Sequence, residues 1–289
     1  MARRKKTVRY LLLLWLFAAI TPVYSAEERR DGEGDTSEAR MRVCFLEFAV
    51  MYYNFDYEEE LDPPFKSTEE GWLPGLYLGL GHSMKDAVYT KLFIEYSEAE
   101  TDYDGTTQTG IPVKDETDND FFRFEIDLGY TFSIDEGFSL TPYTGYGYRS
   151  WDRGLGGSVP YDEKYHWSYI PLGIKANLEI TDRWSIEANA AARIMFGGKM
   201  KVYLSKVDPG FNNPTVDLGD KGGWFAEVPM RYKFAERWSV VGTPWFEYSE
   251  IGKSNEEILT FYGASRYTIY EPASETYQYG MKLGVVYWF

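Results

Sequence analysis

From Phe121 to Phe132 the chain keeps a hydrophobic period of two. Its even positions are Phe122, Phe124, Ile126, Leu128, Tyr130 and Phe132, and its odd positions are Phe121, Arg123, Glu125, Asp127, Gly129 and Thr131. Side chains alternate between the two faces of a strand, so the segment predicts one apolar and one charged face. A water-soluble sandwich shows the same alternation, and the number and spacing of such segments decide between the two. Ten of them fall near 41–54, 74–83, 86–98, 120–133, 138–151, 164–179, 183–197, 222–235, 237–251 and 276–289. Their connections alternate between short and long. The short ones lie around Ser83–Lys85, Ile134–Gly137, Ile180–Asp182 and Glu236, and the long ones near 54–73, 99–119, 152–163, 198–221 and 252–275. An even strand count with short turns at one end and long loops at the other predicts an all-β fold. The expectation is a transmembrane antiparallel up-and-down β-barrel of about 10 strands with short periplasmic turns and long extracellular loops.

Charge sorts by phase in the same way. The lumen phase carries Lys91, Arg123, Arg149, Lys175, Arg193, Arg231, Lys233 and Lys282 against Glu47, Glu95, Glu125, Asp127, Glu187, Glu227 and Glu247, while the opposite phase is nearly free of charge within the strands. A charge facing lipid at the bilayer midplane costs about 2–4 kcal/mol, which a membrane barrel avoids by this segregation. Pro171 to Lys175 followed by Arg183-Trp184-Ser185-Ile186 recurs as Pro229 to Lys233 followed by Arg237-Trp238-Ser239-Val240, which supports the register. Pro142, Pro171, Pro229 and Pro244 each remove a ladder donor inside a proposed strand. Local bulges are expected there, and strand breaks would lower the count of ten.

The amino terminus reads as an address. Arg3, Arg4, Lys5, Lys6 and Arg9 precede the apolar run Leu11 to Ile20, then Thr21-Pro22 and the small residues Ser25 and Ala26. The run is half of the roughly 20 residues a spanning helix needs, so residues 1–25 are expected to be a cleaved signal peptide. Ala26, not Cys, follows the cut, which argues against a lipid anchor. Residues 26–40 hold no large apolar side chain and read as a disordered periplasmic lead-in, with the outer-membrane barrel over 41–289. The whole chain of 289 residues has a net charge of −15, and losing five basic and no acidic groups with the signal leaves −20. Such an acidic chain lacks the cations to neutralise phosphates, so no nucleic-acid partner is expected. One Cys excludes a disulfide framework, and two His leave little for histidine chemistry.

In the last strand Tyr277, Tyr279, Met281, Leu283, Val285, Tyr287 and Phe289 alternate with polar or small residues. This resembles Gram-negative outer-membrane proteins, which commonly end in such a strand with a terminal Phe. The resemblance implies two partners: the barrel-assembly machinery, which reads the strand ending in Phe289, and outer-membrane lipid and lipopolysaccharide. In strand number and size the chain is also similar to the omptin proteases, which use an acidic pair on one side of the cleft and an Asp–His pair on the other. Acidic pairs exist at Asp102 with Asp104 and Asp118 with Asp120, but residues 193–227 contain no His. His82 belongs to a short turn, and His166 lies near the outer rim with Asp152 and Asp162 nearby in sequence. Tyr165-His166-Trp167 reads as aromatic girdle rather than as a catalytic group.

The first long loop carries Asp56, Glu58, Glu59, Glu60, Asp62, Glu69 and Glu70 against Lys66. The second carries Glu98, Glu100, Asp102, Asp104, Asp115, Glu116, Asp118 and Asp120 against Lys114. The EF-hand ligand spacing is absent, so these read as a solvated rim that recruits divalent ions loosely against lipopolysaccharide, not as a metal site. Cys44 shares the lipid-facing phase of Leu46, Phe48, Val50 and Tyr52, and Trp151, Trp167, Trp184, Trp224, Trp238 and Trp288 read as interface belts. In the run Gly145 to Tyr148 the glycines are expected to make room in the lumen for bulky neighbours. No catalytic, cofactor or metal residue is assigned. Near-neutral lumen charge in a ten-stranded barrel favours a largely plugged interior, because an unpaired buried charge is costly. The expectation is a non-enzymatic barrel with a structural or adhesin-like role, meeting a surface or host ligand through its acidic loops. The alternatives are a small pore and an omptin-like protease.

Overall fold

The computed structural model describes residues 44–106, 110–156 and 161–289. The expected signal and lead-in lie outside them. The strands are β1 (Cys44–Glu59), β2 (Ser67–His82), β3 (Ala87–Thr106), β4 (Pro112–Asp135), β5 (Phe138–Leu155), β6 (Tyr161–Glu179), β7 (Trp184–Val202), β8 (Thr215–Asp217), β9 (Gly222–Glu227), β10 (Met230–Ala235), β11 (Trp238–Ile251), β12 (Glu257–Phe261), β13 (Ala264–Ile269) and β14 (Ser274–Trp288). Each neighbour in the main sheet is antiparallel. β1 pairs with β14 from Phe45↔Trp288 to Glu59↔Ser274, and β9 and β10 bridge β7 to β11, so the sheet closes. Counting β9 and β10 as one stave gives a ten-strand antiparallel barrel, as the sequence pattern predicts.

The prolines act differently from expectation. Pro142, Pro171 and Pro244 stay in register within their strands, opposite Ile174, Arg193 and Met281, with no bulge. Pro229 does interrupt its stave, but Glu187 N donates to Pro229 O (2.9 Å) and Val228 N to Pro244 O (3.0 Å), so both neighbours hold the break and the count of ten stands. The bulge between β6 and β7 falls instead at Gly197, whose φ of +63° suits a residue without a Cβ.

Several long connections turn out to be strand. β3 and β4 remain paired out to Thr106↔Pro112, and β1 and β2 out to Glu58↔Thr68. Beyond β11 lies a separate hairpin, β12–β13, closed by Tyr262 and Gly263, both at positive φ, as a two-residue turn of opposite hand to the common type requires.

Outward residues such as Phe48, Val50, Leu128, Leu172, Ile194 and Leu283 are exposed apolar side chains forming the lipid-facing band. Leu128 sits midway along the outward run Phe122 to Ile134. Leu128→Arg should therefore cost about 2–4 kcal/mol of folding free energy in bilayers, read by reversible urea unfolding from vesicles. A loss below about 1 kcal/mol, the value near an interface, would move the midplane off Leu128. The inward face is aromatic as well as charged. A Cβ on Gly147 would collide with the ring of Tyr169, and one on Gly173 with that of Tyr143, so these glycines make room for the tyrosines paired with them on the neighbouring strand.

Candidate functional site

The inward phase brings the charged residues of separate strands together. Glu247 on β11 is the hub. Its Oε2 accepts from Arg123 Nη1 (2.5 Å, β4) and Arg193 Nη1 (2.6 Å, β7), and its Oε1 from Arg149 Nη1 (2.7 Å, β5). Arg123 also donates through Nε to Glu95 (2.6 Å), and Arg193 through Nη2 to Glu125 (3.2 Å), which accepts from Tyr169 Oη (2.6 Å) as well. Arg149 has the aromatic faces of Phe121 and Trp167 against its guanidinium. Toward the short-turn end Lys282 Nζ meets Glu227 (2.8 Å) and Glu95 (3.7 Å), while Lys175 and Arg231 share Glu187 at 3.7 and 3.6 Å. Small cavities remain, one of them lined by Tyr53, Glu95, Arg123, Trp245 and Gln278.

A second cluster sits at the long-loop end, and its polarity is lopsided. Glu69 is fully buried. Its Oε1 accepts from Thr101 (2.5 Å), Thr117 and Asn119, and its Oε2 from Arg153 Nε (2.8 Å). Arg153 Nη1 reaches Glu163 (3.1 Å) and Glu59 (3.9 Å), and the guanidinium lies over the rings of Tyr57, Tyr103 and Trp151. Glu271, from the segment between β13 and β14, joins them, with its Oε1 2.8 Å from Tyr165 Oη. Four carboxyl groups thus surround one arginine. Burial is the main cause that raises the Glu59 carboxyl above its usual range, with Arg153 opposing it.

These placements correct the sequence reading at several points. Glu59 and Glu69, assigned to a solvated rim, point into the lumen; Asp56, Glu58 and Glu70 are the outward members of the same segments. Arg153, Glu163 and Glu271 were missed. Trp151 and Trp167 are 2% and 8% exposed and belong to the interior with Tyr165, not to a belt, whereas Trp184, Trp224 and Trp238 do face outward. Lys233 is exposed at the end of β10, beyond the lumen. Cys44 lies on the outward face with Leu46 and Phe48.

The omptin-type candidates do not converge. His166 faces outward, opposite Lys199 across the β6–β7 ladder, and the two carboxylates near it in sequence are taken by lysines, Asp152 by Lys164 (3.1 Å) and Asp162 by Lys206. His82 Nδ1 is bonded to Val88 O (3.0 Å) at the short-turn end. Asp102 and Asp104 alternate outward from β3, and Asp118 and Asp120 from β4. Among the described residues no group of three His, Cys, Asp or Glu is placed to hold a metal ion.

Residues 65–243 match the model of a known family, described as autotransporter beta-domain. No curated protein matches the sequence. Among solved structures, the outer membrane protease OmpT from Escherichia coli aligns with a TM-score of 0.60 at 9% identity, covering 86% of this chain and 97% of its own. The translocator domain of autotransporter NalP from Neisseria meningitidis gives 0.44 at 8% identity over 87% and 90%. OprG from Pseudomonas aeruginosa gives 0.40 at 11% over 86% and 97%. At such identities the OmpT match carries the barrel fold and nothing about chemistry.

Proposed function

The chain belongs to the autotransporter beta-domain family, a bacterial outer-membrane barrel, and from that premise we propose that its barrel is plugged and non-catalytic, meeting partners through its long-loop end. The carrying observation is the lattice that runs Glu95–Arg123–Glu247–Arg193–Glu125 and ties β3, β4, β7 and β11 together through the lumen. Arginine cannot shed its charge and each carboxylate here answers at least one arginine, so an open water column would have to separate pairs that hold one another in place. Ten strands lie near the size that side chains fill. In this reading the long-loop end faces the cell exterior, and the outward carboxylates Asp56, Glu58, Glu70, Glu98, Glu100 and Asp102 give it an acidic collar suited to cationic surfaces or to divalent-bridged lipopolysaccharide. Residues 1–25 serve as the export signal.

Refolded mature protein, shown by heat-modifiable mobility to be inserted, should give no stepwise conductance in a planar bilayer. A steady, resolvable conductance would mean continuous water through the lattice and would replace this reading with that of a small pore.

A further inference from the structure

Between β11 and β14 the chain leaves the barrel wall near Gly252 and returns at Ser274, carrying the β12–β13 hairpin. Its neck is closed by two reciprocal bonds, Ser254 N to Glu271 O (3.0 Å) and Glu271 N to Ser254 Oγ (2.8 Å). Ile269 packs on the apolar cluster that holds Tyr57, Trp151, Tyr165 and Val216. The side chain of Glu271 turns inward from this neck and is 6% exposed.

A count of protons sets the state of that carboxyl. Tyr165 Oη lies 2.8 Å from Glu271 Oε1 and 3.0 Å from Glu163 Oε2. Tyr57 Oη lies 3.4 Å from Glu271 Oε1 and 3.3 Å from Glu59 Oε1. Each hydroxyl has one proton and two carboxyl groups competing for it. Arg153, the cation of the cluster, is already shared by Glu59, Glu69 and Glu163 and has no ion pair with Glu271. If the tyrosines donate to Glu59 and Glu163, Glu271 needs a proton of its own, and its O–H then donates to a tyrosine oxygen. That arrangement places a proton in three of the four contacts and leaves without one only the longest, Tyr57 to Glu271 at 3.4 Å, and the like charges fall from four to three. Burial first, then the charges of Glu59 and Glu163, push the Glu271 carboxyl well above the usual carboxylate range.

We propose that Glu271 is a proton-operated latch: as a neutral acid it holds the neck of the 252–273 segment to the barrel mouth, and its ionisation frees that neck, while the hairpin stays bonded to residues 210–219 before β9. The groups that face it are Tyr57 and Glu59 of β1, Arg153 of β5, Tyr161, Glu163 and Tyr165 of β6, and Ser254 of its own neck. Arg153 is the one group among them whose charge favours ionisation. A carboxyl raised on folding is stabilising below its unfolded range, and that stabilisation is lost as pH rises through the raised value. The latch therefore closes in acid and opens in alkali.

The test uses the full mature chain with two spin labels, one on the native Cys44 at the short-turn end and one on Arg266→Cys in β13. Buried glutamates titrate as high as about 8–9, so the distance distribution is followed from about pH 6 to about pH 10. The expected result is one narrow distance at the acid end and a second, broader population at the alkaline end. For a single proton, the open-to-closed ratio should rise about tenfold per pH unit through the transition. Glu271→Gln, neutral at every pH, should keep the narrow distance throughout, and it should remove a protonated-carboxyl stretch from the infrared spectrum at the acid end. Ser254→Ala takes one neck bond and leaves the carboxyl in place; it should open at a lower pH than the wild type. The proposal is overturned if wild type never opens, if Glu271→Gln opens at the wild-type pH, if Ser254→Ala leaves the midpoint unmoved, or if no acid stretch is lost.

Discussion

Glu247→Gln should cost about 3–5 kcal/mol of unfolding free energy, the loss expected when one member of a buried ion cluster is removed and its partners stay. The three arginines on Glu247 are not equally exposed to the change. Arg123 keeps Glu95 and Arg193 keeps Glu125, but among the described residues Arg149 has its ion pair with Glu247 alone. Gln retains one acceptor oxygen and turns an NH2 donor toward a guanidinium, so the variant both loses and opposes contacts. Arginine stays charged at every accessible pH, and the loss should accordingly be flat with pH above the range in which unfolded carboxylates take up protons. Urea unfolding from vesicles, followed by tryptophan fluorescence and by heat-modifiable mobility, measures it. Adding Arg149→Gln should return about 1–3 kcal/mol, because the double variant no longer buries the stranded cation. A Glu247→Gln loss within about 0.5 kcal/mol, the range of surface changes, would mean that water already screens the cluster and would count against the plugged lumen.

The barrel was legible in the sequence because lipid imposes the alternation at every outward position, and a period of two survives being read strand by strand. Phe122 to Phe132 shows this, as do the outward residues of β14, Tyr277 to Val285. The boundaries were lost where that pressure ends. Past the lipid band an outward residue is free to be acidic, so Asp56, Glu58 and Glu70 look like loop, and the inward Glu59 and Glu69 were read with them. The missing signal was the phase itself. Tyr53, Phe55, Tyr57 and Glu59 continue the inward series of Glu47 and Met51, as Arg153 continues that of Arg149 and Trp151. Trp151 and Trp167 were misread for a related reason: residue type suggested an interface belt while their phase placed them inside. Pairings across the lumen, such as Glu247 with Arg149 or Glu271 with Tyr165, were beyond the sequence. They join residues 98 and 106 positions apart, and their match depends on the closure and stagger of the sheet rather than on any local pattern.

Arg153→Met tests the opposite imbalance and should answer to pH where Glu247→Gln does not. The substitution keeps an apolar stem near Tyr57, Tyr103 and Trp151 but removes the cation shared by Glu59, Glu69 and Glu163. At alkaline pH the loss should again be about 3–5 kcal/mol. Carboxyl groups, unlike guanidinium, can neutralise themselves. Glu59 is already raised by burial with Arg153 present to oppose it, and without Arg153 the opposition is gone. The folded variant then holds protons that the unfolded chain has released, so its stability falls as pH rises and recovers as pH falls toward the unfolded carboxylate range. The gap between wild type and Arg153→Met should therefore narrow steadily in acid, down to the part that comes from lost ring contacts. A loss as flat with pH as that of Glu247→Gln would mean that the four carboxyl groups do not share one buried site, and it would remove the physical basis for a protonated Glu271 along with it.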